Sequence, residues 1–313
     1  MKISDAEVVN TALSFPLLIK ELEAGFRQDF TMPKRQVLSL ANDPNLNDGL
    51  ALLPAWNDAV IGVKVFTHFP GNAQQNLPTL FSKILLFDRS TGTPLALVDG
   101  TSVTYWRTAA ISALASRYLA RADASRLCLL GTGRLAIPLV TAHLSVHALS
   151  VVTIWGRNES KASAIVTQLR AKFPAVSFST VREIGEGVET ADIIVSATGS
   201  AEPLVCGHQV PAGCHVDLLG NHHVDRRECD SQLVTKSLVY VDDRANVLSE
   251  AGELLIPIAE GSFKVTSIQG ELKQLCRGDV PGRQSNKAIT LFKSVGTALS
   301  DLITANLIYK MTM

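Results

Sequence analysis

The sequence predicts an α/β protein in which a doubly wound parallel sheet of the Rossmann type is inserted into a second domain of α+β character. An uninterrupted strand, glycine turn and helix runs over Arg126–Thr141. After it, short Val/Ile/Leu runs alternate with helical patterns, as strands buried on both faces do. Before it, from Met32 to Val98, the chain breaks into short runs punctuated by Pro, Gly and Asn, the texture of an antiparallel sheet. A chain of 313 residues is long enough for both domains.

Taken in order, Asp5–Phe26 places Val8, Val9, Leu13, Leu17, Leu18, Leu22 and Phe26 at helical spacing, which predicts one or two helices joined near Pro16. Strands are expected at Gln36–Leu40, Leu50–Pro54, Ala59–Thr67, Phe81–Asp88 and Pro94–Val98, with Asp88-Arg89-Ser90-Thr91-Gly92 as a hairpin turn. Thr104–Arg121 is helical by the spacing of Ala109, Ile111, Leu114, Ala115, Tyr118 and Leu119. Parallel strands then fall at Leu127–Leu130, Ser150–Trp155, Ser177–Thr180, Asp192–Ala197, His215–Leu219 and Leu238–Asp242. Ile289–Tyr309 reads as a last helix, with Leu291, Val295, Leu299, Leu302 and Ile303 at helical intervals. The expected domains are therefore 1–107 with 289–313, and 108–288.

Composition narrows the classes of function. Hydrophobic residues make up 46% of the chain and charged ones 19%, as in globular proteins with ample apolar surface to bury. Lys+Arg and Asp+Glu both total 29, so no global field draws the protein to nucleic acid or to an anionic membrane. No apolar run approaches the roughly 18 residues that span a bilayer. Met1–Asp5 leads into an acidic amphipathic stretch without a signal core, so a cytoplasmic protein with a small-molecule partner is expected. The five cysteines (Cys128, Cys206, Cys214, Cys229, Cys276) follow no disulfide or zinc spacing, and Cys128 reads as buried filler. His143 and His147 stand four apart on the helix after the glycine turn; without a glutamate or third ligand they read as a solvated helix face, and no metal is expected.

The glycine turn is a G-x-G-x-x-A fingerprint, Gly131-Thr132-Gly133-Arg134-Leu135-Ala136. Gly131 permits the tight turn, Gly133 lets backbone approach a pyrophosphate, Ala136 allows the helix to pack closely on the strand, and the helix N-terminus offers free N–H groups to the anion. An NAD-specific fold carries Asp or Glu at the end of the next strand to hold the ribose 2′-hydroxyl, but here the strand ends Trp155-Gly156-Arg157-Asn158. Arg157 offers a planar cation to a 2′-phosphate, with Lys161 in support, so NADPH is the expected cofactor and NADH a second choice. Against this, Arg157 merely solvates a loop and Glu159 takes the ribose. The small residues of Asp192–Ser200 suit a segment passing beneath the cofactor, although a generic turn looks the same; Asn158, Thr198, Leu219, Ser294 and Val295 complete the expected cofactor contacts.

Several motifs lie outside that site: Met32-Pro33-Lys34-Arg35, Ile61-Gly62-Val63-Lys64, Leu77-Pro78-Thr79, Asp99–Thr108 with Arg107-Thr108-Ala109-Ala110, Glu250-Ala251-Gly252-Glu253, and Thr290–Gly296. With the Gly131 fingerprint, and in this order over essentially the whole chain, they resemble the ornithine cyclodeaminase/mu-crystallin family. The resemblance implies that Arg35, Lys64, Thr79 and Arg107 hold the carboxylate of an amino or imino acid, with Lys64 also placed at the chemistry. From sequence alone Lys64, between Val63 and Val65, would point outward; the resemblance turns it inward. Arg107 is expected to open a helix, so that guanidinium and helix N-terminus converge on one anion. His68, close to Lys64, is a weaker ligand contact.

The chain departs from the family pattern at Leu218-Leu219-Gly220-Asn221-His222-His223. Members resembling the cyclodeaminase proper carry an aspartate two residues after this glycine, serving ornithine's distal amine; a histidine cannot ion-pair an ammonium group. The resemblance therefore implies a ketimine reductase of proline metabolism, reducing Δ1-pyrroline-2-carboxylate or Δ1-piperideine-2-carboxylate to L-proline or L-pipecolate. His222 either supplies the imine proton or holds a structural hydrogen bond; His223, Asp225 and Glu228 are weaker candidates. The alternatives are a cyclodeaminase-type lyase, an alanine-type dehydrogenase and a non-catalytic NADPH-binding protein of the crystallin kind. The family's paired sheets also imply a homodimer.

Overall fold

The computed structural model describes residues 1–40 and 48–313. Its first elements are β1 (Lys2–Ser4), α1 (Ala6–Ala12), α2 (Phe15–Arg27), β2 (Gln36–Ser39), β3 (Gly49–Trp56), β4 (Val60–His68), β5 (Leu80–Asp88), β6 (Pro94–Asp99) and α3 (Gly100–Leu119). Next come β7 (Arg126–Leu130), α4 (Ala136–Leu144), β8 (Val151–Trp155), α5 (Glu159–Lys172), β9 (Ser177–Thr180), α6 (Ile184–Val188) and β10 (Ile193–Ser196). The remainder are β11 (His215–Leu218), α7 (Ser231–Lys236), β12 (Ser237–Val241), α8 (Arg244–Glu250), α9 (Gly252–Ala259), β13 (Ile268–Glu271), α10 (Leu272–Arg277), β14 (Ile289–Lys293) and α11 (Ala298–Thr312). Two compact units result, residues 1–108 with 297–313, and residues 109–296.

The first unit is built on a sheet in the order β1-β6-β5-β4-β3-β2, antiparallel throughout except that β1 runs parallel to β6. Period-2 alternation sorts the strands into two faces. Ala51, Leu53, Ala55, Ile84, Leu86, Ala96 and Val98 are buried on one face, against which α11 packs closely enough that a Cβ on Gly62 would stand 2.6 Å from Leu302. Pro16, in the first turn of α2, explains the break between α1 and α2. β1 escaped the sequence reading because three residues are too few to show a period.

The second unit holds eight parallel strands in the order β13-β12-β14-β11-β10-β7-β8-β9. The chain winds outward in opposite directions from β7, whose neighbours are β8 and β10. The crevice beyond the carboxyl ends of β7 and β10 is thus the topological switch point at which such sheets bind ligands.

The reading of Ile289–Tyr309 as one helix is corrected. Ile289–Lys293 is a fully buried strand, paired on one side with β11 and on the other with β12. A short apolar run buried on both faces lacks alternation, and its spacing to Leu299 mimicked a helix. Asp242 then gathers the turn, Oδ2 accepting from Val295 N at 3.0 Å and Gly296 N at 2.6 Å. Gly296 takes φ +84, and Thr297 caps α11 through Ser300 N at 3.3 Å. The C-terminal boundary between units accordingly falls between Gly296 and Thr297, not before Ile289.

Candidate active site

At the end of β7, Gly131 adopts φ +122, and a Cβ there would meet the carbonyl oxygen of Ala197 at 2.6 Å. Only glycine combines that backbone with that approach. Around Gly133 nothing lies within 4 Å of where a Cβ would be, leaving space for a ligand against the main chain. Helix α4 has no side-chain cap at Leu135; with Ala136 N donating to Gly133 O at 3.0 Å and Pro138 lacking an N–H, its first turn offers an anion the N–H of Ile137. A cavity of about 550 Å³ opens here, lined by Thr132, Gly133, Arg157, Asn158, Lys161 and Thr198 among others. These features fit a dinucleotide cofactor. None of the lining residues is an acid, and Glu159 lies outside, its carboxylate 3.4 Å from the exposed guanidinium of Arg182. Arg157 and Lys161 are the charged residues among those that line the cavity.

In the first unit, β4 carries Lys64 onto the buried face, where it is only 4% exposed. Its ammonium donates to Thr104 Oγ1 at 2.6 Å and to Asp301 Oδ1 at 3.1 Å. The Thr104 hydroxyl gives its own hydrogen to Gly100 O at 2.7 Å and so presents a lone pair to the lysine. Arg107 Nε donates at 3.0 Å to the same Asp301 oxygen. Burial pulls the Lys64 ammonium down to about 8; Asp301 opposes the shift, while Arg107 and Arg35 reinforce it. Two buried cations therefore share one buried carboxylate, and Arg35 adds a third positive charge nearby. Uncompensated positive charge in a dry site calls for an anionic ligand.

The second unit holds a contrasting cluster. Glu228 Oε1 accepts from Ser196 Oγ at 2.6 Å and from Thr198 N and Oγ1, each at 2.8 Å; Oε2 accepts from Gly220 N at 2.6 Å. One side chain thereby ties the loop after β10 to the loop after β11. Lys293 bridges onward, its ammonium 3.0 Å from Glu253 and 2.8 Å from Asn221 O, with Lys293 and Glu253 fully buried.

The profile of the ornithine cyclodeaminase/mu-crystallin family matches residues 2–313. The chain belongs to this family. It is 54% identical over 308 residues, 98% of each chain, to a Δ1-pyrroline-2-carboxylate reductase of Colwellia psychrerythraea (strain 34H / ATCC BAA-681). Among solved structures it superimposes on the Thermococcus litoralis Δ1-pyrroline-2-carboxylate reductase in complex with NADH and L-proline, with TM-score 0.94, 32% identity, and coverage of 100% of this chain and 97% of that one. An archaeal alanine dehydrogenase dimer with bound NAD matches with TM-score 0.92 at 26% identity, covering 100% and 96%. The protein is a nicotinamide-dependent oxidoreductase of the cyclodeaminase/mu-crystallin family.

Against that family frame, the expected residues divide. Gly131, Thr132, Gly133, Arg157, Asn158 and Thr198 line one cavity; Lys64 and Arg107 meet at Asp301, with Arg35 close enough to act on Lys64. Arg134 and Leu135 precede α4 and Ala136 opens it, all three outside the cavity lining. Leu219, Ser294 and Val295 are buried and do not line it either, because the Ser294 hydroxyl donates to Asp242 at 2.8 Å and the turn folds inward with it. Thr79 is partly exposed before β5, its carbonyl accepting from Phe69 N at 2.8 Å. His222 is exposed on the loop after β11 and His68 ends β4; neither lines the cavity.

Arg107 and His143 both sit in surroundings other than those expected. Arg107 does not open its helix: Asp99 accepts from Ser102 N at 2.9 Å and starts α3 at Gly100, so Arg107 lies well inside the helix and acts through its guanidinium alone. His143 does not lie on a solvated face but is fully buried, its Nδ1 2.9 Å from Leu139 O, and burial drives its imidazole down to about 3. Among the described residues the one grouping with metal-ligand spacing is Cys206, His208 and Asp230, where Asp230 already serves Gly207 N and Leu233 N at 2.9 and 2.8 Å. Sequence reasoning missed Asp301, Glu253, Lys293 and Asp242 and undervalued Glu228. Only the Glu250–Glu253 and Thr290–Gly296 motifs signalled any of them.

Proposed function

We propose that the protein reduces the C=N bond of cyclic ketimine carboxylates, Δ1-pyrroline-2-carboxylate first and Δ1-piperideine-2-carboxylate second, to L-proline and L-pipecolate. The observation that carries this reading is the buried pair of cations Lys64 and Arg107, which share one oxygen of a single carboxylate, Asp301. A substrate carboxylate completes that balance, and an oriented Arg–carboxylate pair fixes which face of the imine is presented. The names borne by the Colwellia and Thermococcus relatives support the choice of substrate.

When bound, the dihydronicotinamide supplies a hydride. The protein's own residues hold the pyrophosphate at the uncapped start of α4, grip a 2′-phosphate with Arg157 and Lys161, and fix the imine by its carboxylate at Lys64, Arg107 and Arg35, with Thr79 at the rim. NADPH is favoured over NADH because two cations, Arg157 and Lys161, and no acid are among the residues that line the cavity.

A homodimer is supported by the outer face of the first unit's sheet. Leu52, Trp56, Ile61, Val63, Leu85 and Leu97 form an apolar patch there that remains partly exposed. No helix among the described residues is long and apolar enough to cross a membrane. The deciding experiment is NADPH and NADH oxidation followed on addition of each imine, with ammonia release from L-ornithine measured in parallel. Imine-dependent NADPH oxidation supports the reading; ammonia release without net cofactor turnover replaces it with the lyase. Sedimentation showing only monomer at micromolar concentration rejects the dimer.

A further inference from the structure

Asp301 is 1% exposed, and its two oxygens are unequally used. Oδ1 accepts from both Lys64 and Arg107, whereas no protein donor among the described residues reaches Oδ2, which is itself buried. Leaving a buried charged oxygen without a donor is costly, and it lies beside the cations that the reading above assigns to the substrate carboxylate. Lys64 has already given two of an ammonium's three hydrogens, to Thr104 and Asp301, which leaves one for a ligand. The cluster thus offers donors for an anion and, next to them, a single empty acceptor. An imino acid has the complementary pattern, a carboxylate and a protonated nitrogen on the same carbon.

We propose that Asp301 Oδ2 accepts the N–H of the protonated imine, making Asp301 a substrate-binding residue that selects imino acids over keto acids. This rests on the ketimine-reductase reading and extends it to the substrate's nitrogen. A negative charge at the imine nitrogen favours its protonated, electrophilic form. As the hydride adds to C2, the C2=N π pair becomes a lone pair on nitrogen, and the cofactor leaves oxidised. The nitrogen keeps its original hydrogen on Asp301 and then takes a proton from solvent, departing as a secondary ammonium. Asp301 accepts a hydrogen bond and takes up no proton in this step. A keto acid would turn a carbonyl oxygen toward the same carboxylate, lone pair against lone pair, and be repelled.

Two flat, non-reducible analogues test this by calorimetry on the cofactor-loaded protein. Pyrrole-2-carboxylate carries an N–H next to its carboxylate, and furan-2-carboxylate carries an oxygen there. The wild-type protein is expected to prefer the pyrrole by roughly 10- to 100-fold. In Asp301→Asn, whose amide can turn its NH2 toward the furan oxygen, the preference should shrink to within about threefold. A purely structural Asp301 would weaken both ligands alike and leave the ratio intact, which would overturn the assignment. Should the variant not fold, the wild-type ratio decides alone, equal affinities overturning the proposal. Imine turnover with equal analogue affinities would sink the role of Asp301 and spare the activity; a pyrrole preference without turnover would do the reverse.

Discussion

The two units each bury a charged cluster, and the clusters are built on opposite plans. In the second unit Glu228 takes hydrogen bonds from Ser196, Thr198 and Gly220, with donors on both of its oxygens. In the first unit the cations outnumber the acid, and one oxygen of Asp301 has no donor. A buried acid with backbone and hydroxyl donors on both oxygens fixes the path of the chain. One left with a vacancy among surplus cations is arranged for something that arrives later.

Breaking each cluster should therefore harm different properties. Arg107→Met leaves Lys64 and Asp301 as a balanced pair, so the urea midpoint should hardly move, while kcat/KM on the imine falls about a thousandfold, roughly 4 kcal/mol. Glu228→Ala deprives the Ser196, Thr198 and Gly220 donors of their acceptor and is expected to lower stability by about 3 kcal/mol in urea unfolding. If Glu228→Ala instead left stability intact, or Arg107→Met unfolded the protein, the contrast between the clusters would be lost. Arg157→Ala sharpens the comparison at the cofactor, where the KM for NADPH should rise roughly 10- to 100-fold and that for NADH stay level.

The smallest effect is on pH. With the Lys64 ammonium brought down to about 8, kcat/KM should fall above that pH by up to tenfold per unit as the cation is lost, and Lys64→Arg should abolish this limb. For the ligand-free fold the sign is opposite. Between about 8 and the ordinary lysine value of 10.5 the unfolded chain holds the proton that the folded one has released, so stability from this group rises with pH across that window.

Local features were legible in the sequence and long-range ones were not. The Gly131 turn declared itself because strand, glycine spacing and helix are contiguous, and Arg157 because it stands where an acid is diagnostic. The alternation of Leu50–Pro54 and Ala59–Thr67 placed β3 and β4 to within a few residues. β14 was misread because a strand buried on both faces lacks a period of its own and adjoins a true helix. Asp301 was invisible for a different reason. It sits among apolar residues of α11, and its partners Lys64 and Arg107 are 237 and 194 positions away; no spacing rule reaches that far. Lys64 was ambiguous on its own, since a strand lysine takes whichever face has a partner. His143 carried no local sign that its helix face was covered.

The glycine at position 220 has a consequence for how this scaffold diversifies. A Cβ there would run into the backbone of Thr198, the next residue is clasped by Lys293 and by a 2.6 Å bond from Asn221 Nδ2 to Ser200 O, and only then does the chain surface at His222. Position 222 is thus the first at which a new side chain can be tried without rebuilding the floor beneath it. Substitution at such a place alters the charge that the loop presents while the main chain keeps its course.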